Sequence, residues 1–379
     1  MTRRRVCYVV ASEMTVKAFL LDHIRAASER HEVTVVASAA GISGLAARFI
    51  PVPIERKTSP FADLKALVNL VGIFRRERFD LVHSVTPKAG LLAALAGAIA
   101  GVPIRIHTFT GQVWATRRGA ARLFLRALDR LTASLATSVL ADSGSQRDFL
   151  VAEGVVSAGR IRVLGNGSVN GVDTSRFRPD AAARERVRAQ AGIPARAVAF
   201  LYLGRFSRDK GLLDLARAFA RLADALPEAW LMLVGPDEDG MAREIREICG
   251  PAAARLRIAG HTAEPEQCMA AADVFVLPSC REGFGSVILE AAAAEVPAIG
   301  TRIYGITDAI LEGSTGMLVP VGDPAALAGA MRTLGGDTHL REEMGRAARA
   351  RVLRDFRPED LTRAMLAHYD ELLGALKRG

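Results

Sequence analysis

Two carboxylates and two cations, each pair set among glycines, are the side chains of this sequence best placed to do chemistry. In Glu282-Gly283-Phe284-Gly285-Ser286-Val287-Ile288-Leu289-Glu290 the acids stand eight positions apart. The run follows an expected strand ending at Leu277 and opens a helix expected over Ser286–Ala294. Gly283 and Gly285 therefore leave main-chain N–H groups uncovered where a helix dipole favours an anion. Glu290, about one turn into the helix, can reach neutral hydroxyls such as a ribose diol, while Glu282 stands on the loop before it. The plain alternative is an acidic loop ahead of an ordinary helix with a solvent-facing glutamate. A second constellation, Gly204-Arg205-Phe206-Ser207-Arg208-Asp209-Lys210-Gly211, follows another strand and opens a helix over Leu212–Ala223. From that loop the Arg205 guanidinium and the Lys210 ammonium can neutralise a diphosphate. Such an arrangement suits a leaving group that gains charge in the transition state, without a divalent metal. Arg208 reads as a surface charge.

The elements that must position these loops alternate along the whole chain. Short β-branched runs interleave with Ala/Leu/Arg segments of helical period, the pattern of parallel sheets covered by helices. Strands are expected near Val6–Ala11, Glu32–Ala37, Phe49–Pro53, Asp80–Val85, Ile104–Phe109, Ser138–Ala141 and Ile161–Leu164. In the second half they are expected near Val198–Leu203, Trp230–Val234, Leu256–Ala259, Val274–Leu277, Ala298–Gly300 and Met317–Val319. The fold class is thus α/β, with two doubly wound Rossmann-like domains expected over 1–170 and 171–357. The turn-rich stretch Gly165 to Asp173 forms the hinge. A last helix, Pro358 to Lys377, aligns Leu361, Met365, Leu366, Tyr369, Leu372, Leu373 and Leu376 on one face and must dock on something apolar; return of 358–379 to the first domain is one solution. Open α/β sheets bind ligands outside the carboxyl ends of their strands, and two of them facing one another would enclose a cleft.

Composition narrows the partners. At 379 residues, half of them hydrophobic and 24% charged, the chain is globular and large enough for two cores. Four scattered cysteines form neither a disulfide framework nor a metal-ligand spacing. The run Val6–Ala11 is too short for a signal-peptide core, and Ala89–Ile104, broken by Gly97, Gly101 and Pro103, falls short of the ~20 residues that span a bilayer. A cytoplasmic location follows as the expectation. Fifty Lys and Arg against 41 Asp and Glu give a formal charge of +9, which suits an anionic partner. Nucleic acid ranks below a nucleotide diphosphate or an acidic membrane, because only 6% of residues are aromatic.

On these residues the chain resembles the retaining glycosyltransferases of family 4, which have the GT-B fold. The likeness runs through His83, Thr86-Pro87-Lys88-Ala89-Gly90, His107-Thr108-Phe109-Thr110-Gly111, Asp142-Ser143 and Gly167 to Asp173. It implies that Arg205 and Lys210 hold a donor diphosphate, Glu290 the nucleotide ribose and Glu282 the donor sugar. It also implies that the main chain at Gly260-His261 meets a uracil-type base, and that no cofactor or metal is needed beyond the nucleotide-sugar, expected to be a UDP-sugar. The loop around Gly283, Phe284, Gly285 and Ser286 completes the donor site. The Thr-Pro-Lys-Ala-Gly run and the segment Gly165 to Asp173 are similar to those of members extending polyprenyl-diphosphate-linked sugars in capsule, O-antigen or glycolipid assembly.

In the first domain, His107 ends a buried strand and is either a contact to donor sugar or acceptor, counted with the catalytic set, or a hydrogen-bonded core residue. His83, Lys88, Thr110 and Gly111 are the acceptor-side candidates, with structural duty as the alternative. Trp114 to Arg130 mixes Arg117, Arg118, Arg122, Arg126 and Arg130 with leucines. Such a basic amphipathic helix either lies on an anionic membrane or presents a solvated face over a core contact. Two patterns are decoys. Gly165 to Gly171 has its third glycine one position late for a dinucleotide fingerprint, and Asp237-Glu238-Asp239 is better read as a solvated acidic loop than as a metal site. The rival functions are a nucleotide-sugar 2-epimerase on the same architecture and a non-catalytic sugar-nucleotide-binding module.

Overall fold

The computed structural model describes residues 3–38, 42, 44–55 and 59–376. The chain divides into two compact units, Met1–Asn170 with Pro358–Gly379, and Gly171–Arg357. Unit 1 holds β1 (Arg5–Val9), β2 (Glu32–Ala37), β3 (Arg48–Pro51), β4 (Leu81–Val85), β5 (Ile104–Phe109), β6 (Ser138–Ala141) and β7 (Ile161–Val163). They form one parallel sheet in the order β3-β2-β1-β4-β5-β6-β7. Its helices are α1 (Glu13–Thr15), α2 (Leu21–Arg30), α3 (Pro60–Glu77), α4 (Pro87–Ala100), α5 (Gly119–Leu135) and α6 (Gly144–Ala152).

Unit 2 repeats the plan. Strands β8 (Val198–Leu203), β9 (Ala229–Val234), β10 (Leu256–Ala259), β11 (Val274–Leu277), β12 (Ala298–Thr301) and β13 (Gly316–Val319) pair in parallel in the order β10-β9-β8-β11-β12-β13. Around them lie α7 (Ala181–Ala191), α8 (Leu212–Leu222), α9 (Ala242–Cys249), α10 (Pro265–Ala271), α11 (Ser286–Ala293), α12 (Ile306–Ala309), α13 (Pro324–Gly336) and α14 (Thr338–Asp355). Both sheets thus wind outward in both directions from a central pair, β1/β4 in one and β8/β11 in the other. At such a switch point the loops after neighbouring strands diverge and leave a crevice.

Packing follows the sequence periods. The inner strands of unit 2 are buried on both faces, with Phe200, Phe219, Phe275, Phe284 and Phe356 in one continuous core. Unit 1 packs α2 on one face of its sheet and α3 and α4 on the other. The last helix, α15 (Pro358–Ala375), lies on the α2 face, where Met365, Leu366, Tyr369 and Leu373 join Val6 and Tyr8. Burying side chains of this kind is worth about 1.5–3 kcal/mol each, which explains why the amphipathic helix leaves the second unit and returns to the first. Lys377, where that helix was expected to end, lies outside the described residues. Among the described residues, no helix is long and apolar enough to cross a membrane.

One helix departs from expectation. The basic helix begins at Gly119, not Trp114, and the segment before it is held by the buried Trp114, whose Nε1–H donates to Asp129 Oδ2 at 2.7 Å. Arg122 and Arg126 do not form a solvated face either. They reach Glu153 at 2.5 and 3.0 Å, and the helix instead turns Leu123 and Phe124 to solvent, 58% and 63% exposed.

Candidate functional site

The β8/β11 switch point of unit 2 gathers the two loops singled out in the sequence. Close backbone approach makes this possible. Gly211 adopts φ +73°, and a Cβ there would run into the carbonyl oxygen of Pro278; a Cβ at Gly235 would strike that of Gly204. The Gly204 N–H donates to Val234 O at 2.9 Å and the Cys280 N–H to Asp209 O at 2.8 Å, tying the β8 loop to the β9 and β11 loops.

On this frame Lys210 Nζ lies 2.6 Å from Glu282 Oε1, and Ser279 Oγ donates to the same oxygen at 2.7 Å. Both side chains are largely buried. Arg205, on the same loop, pairs with Glu238 of the β9 loop at 2.6 Å, and the Tyr202 hydroxyl donates to its carbonyl oxygen at 2.7 Å. Two ion pairs, Lys210 with Glu282 and Arg205 with Glu238, therefore stand on the loops at this edge. Gly285, at φ +82°, turns the chain into α11, whose first-turn amides begin at Ser286. Phe284 contributes main chain only, because its ring is buried against Phe356.

Glu290 occupies a different part of the edge. Among the described residues its carboxylate accepts no hydrogen bond, and burial pushes its pKa up to about 7, opposed by Arg176 and reinforced by Glu266. Arg176 donates to Glu266 Oε2 at 2.9 Å and to Ala263 O at 3.3 Å, so Glu290 faces the segment that follows β10. Gly260 and His261, on that segment, are exposed. A half-buried acid beside an open loop can meet sugar hydroxyls, while the Lys210 cluster can meet phosphate.

Sequence reasoning passed over Asp209 and Arg281. Asp209 accepts from Ser207 Oγ and from Arg281 Nη2, both at 2.6 Å, and so cross-links the loops that carry Lys210 and Glu282. Its pKa is lowered, because these hydrogen bonds and the charges of Arg281 and Lys210 outweigh the upward push of burial. No local pattern announces such a pair, since its members lie 72 positions apart. The acidic run of the β9 loop is engaged within the protein. Asp237 accepts the N–H groups of Met241 and Ala242, Asp239 that of Arg208, and Glu238 pairs with Arg205.

In unit 1 the candidates divide. His83 is corrected to a core residue: it is fully buried, with Nδ1 2.6 Å from Tyr369 Oη and Nε2 2.8 Å from Thr108 Oγ1, which leaves neither nitrogen for an acceptor. Burial holds its pKa well below the usual value. His107 is also buried, with Nδ1 3.0 Å from Ser84 Oγ and its ring against Gly90, where a Cβ would not fit. Burial lowers its pKa to about 4, so the ring is neutral at pH 7, and Nε2 makes no hydrogen bond among the described residues. Lys88, in the first turn of α4, pairs with Asp63 at 2.8 Å. Thr86 before it holds φ at +78°, a costly conformation for a β-branched residue. Thr110 and Gly111 follow β5 on a half-buried loop, and the Thr110 carbonyl accepts from Gln146 Nε2 at 2.8 Å.

Comparison with known proteins agrees with this architecture. The family model described as glycosyl transferases group 1 matches residues 183–351, and that of the glycosyl transferase 4-like domain matches residues 17–167. The capsular polysaccharide biosynthesis glycosyltransferase CapM of Staphylococcus aureus is 30% identical over 323 residues, 85% of this chain and 84% of its own. The UDP-Gal:alpha-D-GlcNAc-diphosphoundecaprenol alpha-1,3-galactosyltransferase of Escherichia coli is 27% identical over 281 residues, 73% of this chain and 71% of its own. Among solved structures, Anabaena HepE in complex with UDP and glucose matches with a TM-score of 0.81 at 20% identity, covering 97% of this chain and 100% of that one. With both halves matched and two doubly wound sheets in place, the chain belongs to the group 1 glycosyltransferases, family 4, and has the GT-B fold.

Proposed function

We propose that this glycosyltransferase moves a sugar from a UDP-sugar to a hydroxyl of a polyprenyl-diphosphate-linked saccharide in bacterial envelope polysaccharide synthesis. Transfer retains the anomeric configuration and needs no metal. The observation that carries the reading is the 2.6 Å approach of Lys210 to Glu282 at the switch point, with Arg205 on the same loop. As the bond from the anomeric carbon to the diphosphate breaks, negative charge grows on the leaving oxygen. Fixed cations in the loop stabilise that charge more than they stabilise the bound donor, which lowers the barrier. Glu290 fixes the ribose, the main chain at Gly260 and His261 meets the base, and Glu282 orients the donor sugar with the amides around Gly283–Gly285. His107, neutral through burial, offers Nε2 to the donor sugar or the acceptor. The acceptor hydroxyl attacks from the face the diphosphate leaves, and a phosphate oxygen takes its proton.

The named activity of the Escherichia coli relative supports a UDP-sugar and a lipid-diphosphate acceptor, and the UDP and glucose bound by HepE support the donor class. Lys88, Thr110 and Gly111 serve the acceptor, and the enzyme works in the cytoplasm against the inner face of the membrane. The test is a panel of nucleotide-sugars scored by thermal stabilisation, then by transfer to membrane lipid extract with mass detection, in chelator and with the product anomer assigned by NMR. A UDP-sugar giving a lipid-linked product of retained configuration is the expected result. Conversion of the UDP-sugar without any acceptor would assign an epimerase instead, and an inverted product or a requirement for metal would overturn the mechanism.

A further inference from the structure

Each cation proposed to hold the diphosphate already meets a carboxylate in the free protein. Lys210 lies 2.6 Å from Glu282, and Arg205 Nη1 donates to Glu238 Oε2 at 2.6 Å. The two pairs differ in setting. The Lys210 and Glu282 side chains are 16% and 14% exposed, and Ser279 also binds Glu282, whereas those of Arg205 and Glu238 are each 39% exposed. An incoming diphosphate must take a cation from its carboxylate. The more exposed pair costs less to open, because the carboxylate it releases returns to water.

Glu238 is held in place over Arg205. The β9 loop runs beside the β8 loop, with the Phe206 N–H donating to Pro236 O at 2.8 Å and the Asp239 N–H to Phe206 O at 3.2 Å. The acids on either side of Glu238 bind main chain: Asp237 accepts the N–H groups of Met241 and Ala242, and Asp239 that of Arg208. The backbone is thus fixed before and after Glu238, and its side chain is the member of the acidic run that reaches Arg205. Less conformational entropy is lost in forming a pair held this way, so the carboxylate competes with a ligand for the same guanidinium. After transfer, a nucleoside diphosphate is left on the cations, and a carboxylate beside Arg205 can retake the guanidinium as that product departs.

We propose that Glu238 is a displaceable counter-ion of the donor site: it occupies Arg205 in the free protein, yields it to the diphosphate, and retakes it to release the nucleoside diphosphate product. This role rests on the donor-site reading above, in which Arg205 binds the diphosphate. A carboxylate that only braced Arg205 would leave a weaker site when removed, whereas removal of a competitor leaves a tighter one. The experiment is calorimetric titration of UDP, at physiological ionic strength, into the full-length wild type, Glu238→Gln, Glu238→Ala, Arg205→Ala and the control Glu244→Gln. The control removes a carboxylate of α9 that pairs with the neighbouring Arg208 at 3.6 Å. Uridine, which carries no phosphate, is titrated alongside, and thermal melting follows each fold. Both Glu238 variants are expected to bind UDP about three- to five-fold more tightly than wild type, with slower UDP dissociation in stopped-flow displacement. Uridine affinity in these variants, and UDP affinity in Glu244→Gln, are expected to match wild type. UDP affinity in the Glu238 variants equal to or weaker than wild type would overturn the proposal, as would an equal gain for uridine or for Glu244→Gln. Unfolding of both Glu238 variants would make the pair structural and overturn it too. If Arg205→Ala weakens UDP binding while the Glu238 variants fail to tighten it, the counter-ion alone falls. If Arg205→Ala leaves UDP affinity unchanged, Arg205 does not hold the diphosphate, and the counter-ion falls with it.

Discussion

The two sheets share a strand order and differ in what stands at their carboxyl edges. At the β8/β11 switch point, glycine-rich loops bring charged side chains together: Lys210 on Glu282, Arg205 on Glu238, Asp209 on Arg281. In unit 1 the polar residues of β4 and β5 turn inward, where His83, Thr108 and Tyr369 form a buried chain and His107 leans on Ser84. At the first edge each of these charged groups has an oppositely charged partner. The second holds its histidines neutral because burial penalises the charged form. Topology therefore supplies a crevice twice, and loop composition decides which one gathers charged side chains.

Breaking the charged edge has the largest expected effect. Glu282→Ala or Lys210→Ala leaves its partner without its ion pair, and the transfer rate should fall about a hundred-fold or more with the fold intact, as initial rates and circular dichroism would check. Breaking the neutral edge should instead register as stability. Tyr369→Phe removes the hydroxyl beside His83 Nδ1 and should cost about 1–3 kcal/mol in denaturant unfolding, with UDP binding to unit 2 unchanged. A matching loss of UDP affinity would erase the distinction between the two edges.

Acid–base behaviour sharpens the contrast further. Burial raises the pKa of Glu290 to about 7, so the carboxylate proposed to accept ribose hydroxyls is mostly protonated below that pH. UDP affinity should rise several-fold as pH passes upward through about 7 and stay flat in Glu290→Gln, measured by calorimetric titration. A further pH effect is expected at Asp142, buried just after β6 with its pKa raised by burial to about 8. The unfolded carboxyl loses its proton near the usual 3.8 while the folded one keeps it to about 8. Stability from this group is therefore present in acid and drains away as pH rises across that window. Asp142→Asn should remove that slope from the melting temperature.

Much of this was legible in the sequence, and the failures share a cause. The strand runs could be read because a doubly wound sheet buries both faces and marks each strand as a short apolar block, as in Val198–Leu203 and Val274–Leu277. The charged edge could be read because Gly204–Gly211 and Glu282–Glu290 are each contiguous stretches. His83 could not be assigned from its strand, since the partner that satisfies it, Tyr369, arrives 286 positions later on a returning helix. Asp209 with Arg281, and Arg122 with Glu153, are likewise long-range ion pairs. The helical period alone put the arginines of α5 on the water side, and Glu153 drew two of them away.

The most direct test of the central claim is calorimetric titration of UDP into wild type and into Lys210→Ala, Glu290→Ala and the surface control Arg208→Ala. Losses of roughly ten-fold or more for the first two, with wild-type affinity in the control, are predicted for a nucleotide held at the β8/β11 edge. Unchanged affinity in both Lys210→Ala and Glu290→Ala would contradict it and send the nucleotide elsewhere on the molecule.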